Sequence, residues 1–139
     1  MTRKGYRLLP HTADLLVEVR AADFPSLCAA SVEAVFSLLT DRRKVRRIER
    51  RTFDAGSGPR EDRFLSLLRQ ALLLFSLDRF LVREASATML GGRIVVAVQG
   101  ELLEGARHIV CREIKAVTAH ALAVTEGPSE FTARFVLDV

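Results

Sequence analysis

The spacing of apolar residues changes several times along this chain, and the order of these spacings constrains the fold more than any other feature. Apolar residues recur at helical spacing in two segments, from about residue 24 to 39 and from about 61 to 75. Elsewhere they alternate with polar residues or form short runs, as in strands. The order is ββαβα followed by a run of strands. It predicts an α+β fold in which two helices pack on one face of a mixed, mostly antiparallel sheet.

Both helices carry signals at their starts. Asp23 is a suitable N-cap with Pro25 in the first turn behind it, while Glu61 and Asp62 place negative charge at the start of the second helix. The predicted buried residues are Leu27, Ala30, Ala34, Val35 and Leu38 in the first helix, and Phe64, Leu67, Leu68, Ala71, Leu72 and Phe75 in the second.

The remaining segments are predicted to be strands and turns. Gly91-Gly92 supplies the positive φ angles of a tight hairpin turn. The stretch 107–125 is long for one strand, which predicts a bulge or bend near Thr118 to His120. Strands are predicted at 5–9, 15–20, 44–53, 80–89, 93–99 and 130–137, the last pairing with 119–125.

Length and composition are those of one globular domain. The chain has 139 residues, of which 49% are hydrophobic, enough for a single core. The cysteines, Cys28 and Cys111, lie far apart without metal-ligand spacing, which favours a reducing cytoplasm. No apolar stretch approaches the roughly 20 residues of a membrane span. The expectation is a soluble cytoplasmic protein.

Positive charge is concentrated in one segment. Arg42–Arg51 contains seven Arg or Lys and one Glu, a local charge of +6, so the rest of the chain carries 4 − 6 = −2. Such a segment is suited to RNA phosphates, and equally to an edge strand protected by charge. Both interpretations stay open from the sequence alone.

Two isolated acids lie near the two ends of the chain. Asp14 precedes a strand, and Asp138 follows four mostly apolar residues, where it adds little to a core. Together they suit a hard divalent cation such as calcium or magnesium, with an oxygen of Val139 as a third ligand. Asp41 is a possible further acid, although a loop role at the end of the first helix is the simpler interpretation. A loop cap for Asp14 and a solvated end for Asp138 remain alternatives.

Lys115 lies in an apolar stretch, where it is either a solvent-facing strand lysine or a cation held near the acids for a phosphate or a partner's carboxylate. The three histidines have no zinc-site spacing, and neither a phosphate-binding glycine loop nor a Ser/His/Asp arrangement is present. The sequence therefore assigns no catalytic residue and no organic cofactor.

Several pieces of the chain, in order, resemble the archease family. They are His11-Thr12-Ala13-Asp14, Ala34–Asp41, the Leu-rich segment Phe64–Phe75, Glu113–Leu122 and the closing Phe135–Val139. The chain departs from the family at Leu15-Leu16, where Ile-Gly is usual, at Ala119, where an aromatic is common, and in the arginine-rich segment. These departures affect the partner surface more than the acids.

The resemblance implies one archease-like domain over residues 1–139, acting as an accessory protein that is not itself an enzyme. Its partner would be the tRNA-splicing RNA ligase, which joins 3′-phosphate to 5′-hydroxyl RNA ends. The family member promotes guanylylation and multiple turnover of that ligase. By resemblance, Asp14, Asp138 and the carbonyl of Val139 would bind calcium, and Lys115 would be needed for activation.

Two other classes of function compete with this expectation. One is a stand-alone metal-dependent phosphoester hydrolase that uses Asp14 and Asp138, for which the ligands of a two-metal site are too few. The other is an RNA-binding or chaperone-like module that uses Arg42–Arg51.

Overall fold

A computed structural model of the protein describes residues 5–9 and 14–139. Within these ranges the chain forms seven strands, two α-helices and one short 3-10 helix. In chain order they are β1 (Gly5–Leu9), β2 (Leu15–Ala21), α1 (Phe24–Leu39), the 3-10 helix (Arg42–Lys44), β3 (Glu49–Asp54), α2 (Arg60–Asp78), β4 (Phe80–Leu90), β5 (Arg93–Leu102), β6 (Ala116–Glu126) and β7 (Phe131–Asp138).

The strands form two antiparallel sheets with helical layers packed on them. One sheet has the order β1-β2-β7-β6 and the other the order β3-β5-β4. The predicted α+β class is confirmed, and the strands are shared between two sheets where the sequence suggested one. In the first sheet β2 and β7 are the central pair, flanked by β1 and β6.

Helix α1 lies between the two sheets, in contact with β2 of one and β4 of the other. It is buried on most of its circumference, and small residues such as Ala29, Ala30 and Ala34 allow both sheets to approach it. Its N-cap is Asp23, as predicted, whose carboxylate accepts a hydrogen bond from the backbone N–H of Ser26 at 2.8 Å.

Helix α2 packs on β6 through the predicted stripe, all six members of which are buried. Phe64 meets Phe135 of β7 with ring centroids 5.8 Å apart, which joins the helix to the same sheet. The helix ends at Arg79, a left-handed residue with φ 57°. In the described part of the chain, neither helix is both long and apolar enough to cross a membrane.

Two boundaries differ from the predictions. The strand predicted at 44–53 is only Glu49–Asp54, because Arg42–Lys44 form the 3-10 helix and residues 45–48 are irregular. The strand-like stretch 107–125 is ordered as β6 only from Ala116, after an irregular segment.

The special backbone positions occur where they were predicted. Pairing of β6 with β7 shifts register between Thr118 and Ala123, which confirms the predicted bulge or bend, and Ala121 adopts φ 59° within this stretch. Gly91 and Gly92 turn the β4–β5 hairpin with φ 57° and 79°.

Candidate functional site

The register of the first sheet brings Asp14 and Asp138 to the same end of neighbouring strands. Leu15, the first residue of β2, pairs with Leu137 of β7. Asp14 lies just before that pair, and Asp138 just after it, as the last residue of β7. Because the strands are antiparallel, continuing the register by one residue sets Asp14 opposite Asp138.

Lys115 reaches the same end of the sheet from the other side of β7. Its backbone N–H donates to the carbonyl oxygen of Asp138 at 2.7 Å, and Ala116 pairs with Asp138 in the ladder. The Lys115 side chain is exposed. Asp14, Asp138 and Lys115 are distant in sequence, but their backbones lie side by side at one end of the sheet. Val139 follows directly after Asp138.

The charged groups at this end have no partners among residues 5–9 and 14–139. Neither the carboxylates of Asp14 and Asp138 nor the ammonium of Lys115 forms a hydrogen bond or ion pair with a described residue. Asp41 behaves differently: it caps the 3-10 helix and pairs with Arg43 at 3.0 Å, which lowers the pKa of Asp41. Asp41 is thus a loop cap, the role that the sequence favoured.

The oxygen atoms at this end of the sheet are of the type that binds hard cations. Two carboxylates and the main-chain oxygen of Val139 are oxygen ligands of the type that calcium and magnesium prefer. Within the described residues, no group of three or more His, Cys, Asp or Glu side chains is arranged to hold a metal. His11, Thr12 and Ala13 of the first matching piece lie outside the described residues. Water or a partner would have to supply the other ligands.

The arginine-rich segment 42–51 is largely paired with the protein's own acids. Arg46 binds Glu101, Arg47 binds Glu84 at 2.8 Å, and Arg51 binds both Glu49 and Asp78. Arg42 lies 3.9 Å from the carboxylate of Glu33, and Arg43 pairs with Asp41. Most of the local charge of this segment is therefore neutralised in the folded protein, which weakens its case as an RNA-binding surface.

A buried network around Glu101 lies just before Lys115 in the chain, and the sequence did not predict it. Glu101 is only 4% exposed, and its carboxylate accepts hydrogen bonds from Arg46, Arg107 and His108. The His108 Nδ1 accepts from the backbone N–H of Glu104 at 2.9 Å, so the ring proton sits on Nε2 and is donated to Glu101. These bonds hold the irregular segment 103–115 on β5.

Lowering the pH should reduce the unfolding free energy by protonating Glu101. Hydrogen bonds from Arg107 dominate over the opposing effect of burial and lower the pKa of Glu101 from 4.5 to about 2. A carboxyl group with a lowered pKa stabilises the fold above pH 4.5, and this stabilisation is lost as the pH falls toward 2.

We expect Glu101→Gln to lose roughly 2–3 kcal/mol of unfolding free energy at pH 7. Urea unfolding between pH 7 and pH 2 should also give a shallower acid dependence for the variant than for the wild type. Parallel pH profiles of the two proteins would contradict the assigned role.

Comparisons with known proteins agree with this architecture. Residues 6–139 match the Archease protein family. Protein archease from Methanopyrus kandleri is 26% identical over 135 residues, which cover 94% of this chain and 96% of that protein. The solution structure of Methanobacterium thermoautotrophicum protein 1598 superposes with a TM-score of 0.80 at 20% identity and covers 97% of this chain and 99% of that one. The family match extends over almost the whole sequence, from β1 to Val139, and on that ground the chain belongs to the archease family.

Proposed function

We propose that this protein is a metal-binding accessory factor that activates the tRNA-splicing RNA ligase by promoting its guanylylation and its multiple turnover. One observation carries the proposal: strand register gathers Asp14, Asp138 and Lys115 at one end of the sheet, and none of them has a partner among the described residues. Membership of the archease family supports it. We also propose that the protein acts in the cytoplasm and that its role is accessory rather than enzymatic.

In this proposal the acids and the lysine have different tasks. Asp14, Asp138 and the main-chain oxygen of Val139 hold a divalent cation, most readily calcium. When bound, the cation supplies positive charge that phosphate or carboxylate oxygens can approach. Lys115 cannot ligate the cation, because its ammonium has no free lone pair. Its exposed charge is available to a phosphate or to an acid of the ligase.

The competing hydrolase function finds less support. A hydrolytic site needs a base positioned to activate water and enough ligands to fix one or two metals. The described residues at this end of the sheet supply two carboxylates and an exposed lysine. They bind charge well but offer little acid–base chemistry, which favours an activator.

Removing one acid tests the metal site. We expect Asp138→Asn to weaken calcium binding by roughly 100-fold or more, since even residues that only orient metal ligands cost 10–100-fold when changed. Isothermal titration of the purified protein with calcium measures this. The unfolding midpoint without metal should stay unchanged, because the carboxylate of Asp138 forms no hydrogen bond or ion pair with the described residues.

Asp62→Asn is the matched control. Asp62 is also an exposed acid without a recorded partner among the described residues, but it lies in the first turn of α2. It should leave calcium affinity unchanged. Equal losses in both variants, or an early-melting Asp138→Asn protein, would assign Asp138 a structural or general electrostatic role instead.

A further inference from the structure

A buried carboxylate on the outer face of the first sheet organises three arginines. Glu18 is 2% exposed. Its Oε1 accepts hydrogen bonds from Nε of Arg7 at 2.8 Å and from an η nitrogen of Arg20 at 3.2 Å, and its Oε2 accepts from Nε of Arg134 at 2.9 Å. The guanidinium groups lie on the outside of the protein and cover the acid.

Strand register explains why these residues meet. Arg7 of β1, Glu18 of β2 and Arg134 of β7 are consecutive partners across the sheet, and Arg20 lies two residues along β2 on the same face. Burial raises the pKa of Glu18, but the hydrogen bonds from Arg7 and Arg134 and the nearby positive charges outweigh it and lower the pKa. The acid stays ionised and fixes the arginines in place.

The cluster keeps an excess of positive charge and unused donors. Three guanidinium groups face one buried carboxylate, and Glu130 reaches only Arg20, at 3.7 Å. Arg7 and Arg134 bind Glu18 through Nε alone, so their η nitrogens have no recorded partner among residues 5–9 and 14–139. Their side chains are 60% and 53% exposed. Oriented guanidinium groups with free η nitrogens match the oxygens of a phosphate.

This arginine cluster shares a face with the candidate metal site. Side chains alternate along a strand, so Arg134, Val136 and Asp138 point to the same side of β7. Arg134 and Asp138 are four residues apart, about 13 Å along the strand. The outer face thus carries the arginines along its strands, and the two acids at the end of the sheet where β2 begins and β7 ends.

We infer that the arginine cluster Arg7, Arg20 and Arg134 binds the backbone phosphates of an RNA strand. On this face, residues 5, 7 and 9 of β1 and their partners across β2, β7 and β6 include no aromatic side chain on which a base could stack. Contact would therefore be with phosphates and independent of base sequence. The inference does not depend on ligase activation, and it moves the RNA contact from the self-paired segment 42–51 to this sheet face.

Salt dependence of binding tests the inference on the protein alone. Fluorescence anisotropy of a short labelled single-stranded RNA with a 3′-phosphate is measured over a salt series. Each phosphate contact contributes about 0.7 to the slope of log K against log salt, so three arginines predict a slope of about −2. Arg134→Ala should weaken binding about fivefold and reduce the slope by about 0.7.

Three further variants keep the result interpretable. Arg20→Ala removes only the longest of the bonds to Glu18, so in this variant the acid keeps Arg7 and Arg134 as partners. It therefore tests the cluster even if Arg134→Ala folds poorly. Arg134→Lys keeps the charge and should keep the slope while losing part of the affinity. Arg43→Ala removes a far more exposed arginine that pairs with Asp41, and it should change nothing.

The opposite results overturn the inference. Slopes equal to the wild type in Arg134→Ala and Arg20→Ala would remove the cluster from RNA binding. An equal loss in Arg43→Ala would show that only net charge matters. Unchanged RNA binding combined with weaker capture of the purified ligase would assign the cluster to a protein partner instead.

Discussion

Gly100→Ala is expected to destabilise the fold by about 3 kcal/mol or more, a large share of the stability of a domain of this size. An added Cβ at this position would lie 1.8 Å from the carbonyl oxygen of Leu81 and 2.9 Å from its carbonyl carbon. Both atoms belong to the backbone of β4, so no side-chain rotation can relieve the overlap.

A bulge in β4 explains the close approach. Pairing of β4 with β5 shifts between Val82 and Glu84, so that Val82 faces Gly100 and Glu84 faces Gln99. The extra residue, Arg83, is unpaired in the ladder and donates to the carbonyl oxygens of Arg42 and Arg43. A side chain at position 100 would push β4 away from β5, and α1 packs on β4.

Urea unfolding of Gly100→Ala and Gly105→Ala checks this prediction. Gly105 has no atom within 4 Å of an added Cβ and no positive φ, so its substitution should change the unfolding free energy by less than about 0.5 kcal/mol. Similar midpoints for the two variants would mean that β4 and β5 accommodate the methyl group.

Lys115→Ala is expected to abolish most of the stimulation of ligase guanylylation while leaving calcium affinity nearly unchanged. The backbone N–H of the lysine donates to the carbonyl oxygen of Asp138, at the end of the sheet where the candidate metal site lies, and that bond survives the substitution. Only the exposed ammonium is removed. A loss of stimulation without a loss of metal binding therefore isolates the charge.

Lys44→Ala is the matched control, since Lys44 is an exposed lysine in the 3-10 helix. Its removal should leave stimulation intact. Lys115→Arg should restore little activity if the ligase accepts only a compact point charge. Full stimulation by Lys115→Ala would make Lys115 an ordinary exposed lysine, just before β6, and leave activation to the acids.

Local patterns in the sequence predicted the elements well. The apolar stripe of α2, the Asp23 cap and the Gly91-Gly92 turn each depend on neighbouring residues, so periodicity and turn chemistry are sufficient to find them. The strand predicted at 44–53 begins too early, because Lys44 is the last residue of a 3-10 helix capped by Asp41 and residues 45–48 are irregular.

Non-local contacts were beyond the reach of the sequence. Glu18 and Glu101 look like ordinary strand acids, and only the register shows that arginines from other strands or segments converge on them. The pairing of β2 with β7 is likewise invisible in composition, although two isolated acids near the chain ends suggested that they meet. Their backbones do lie at one end of the sheet, and a shared cation remains a prediction.

The guanylylation rate of the tRNA-splicing RNA ligase, measured with and without this protein in the presence of GTP and calcium, tests the central claim most directly. We expect the wild type to accelerate guanylylation and to allow multiple turnover, and Asp138→Asn to do neither at equal concentration. A ligase whose guanylylation is equally fast with the wild type, with Asp138→Asn and with no added protein would contradict the proposed function.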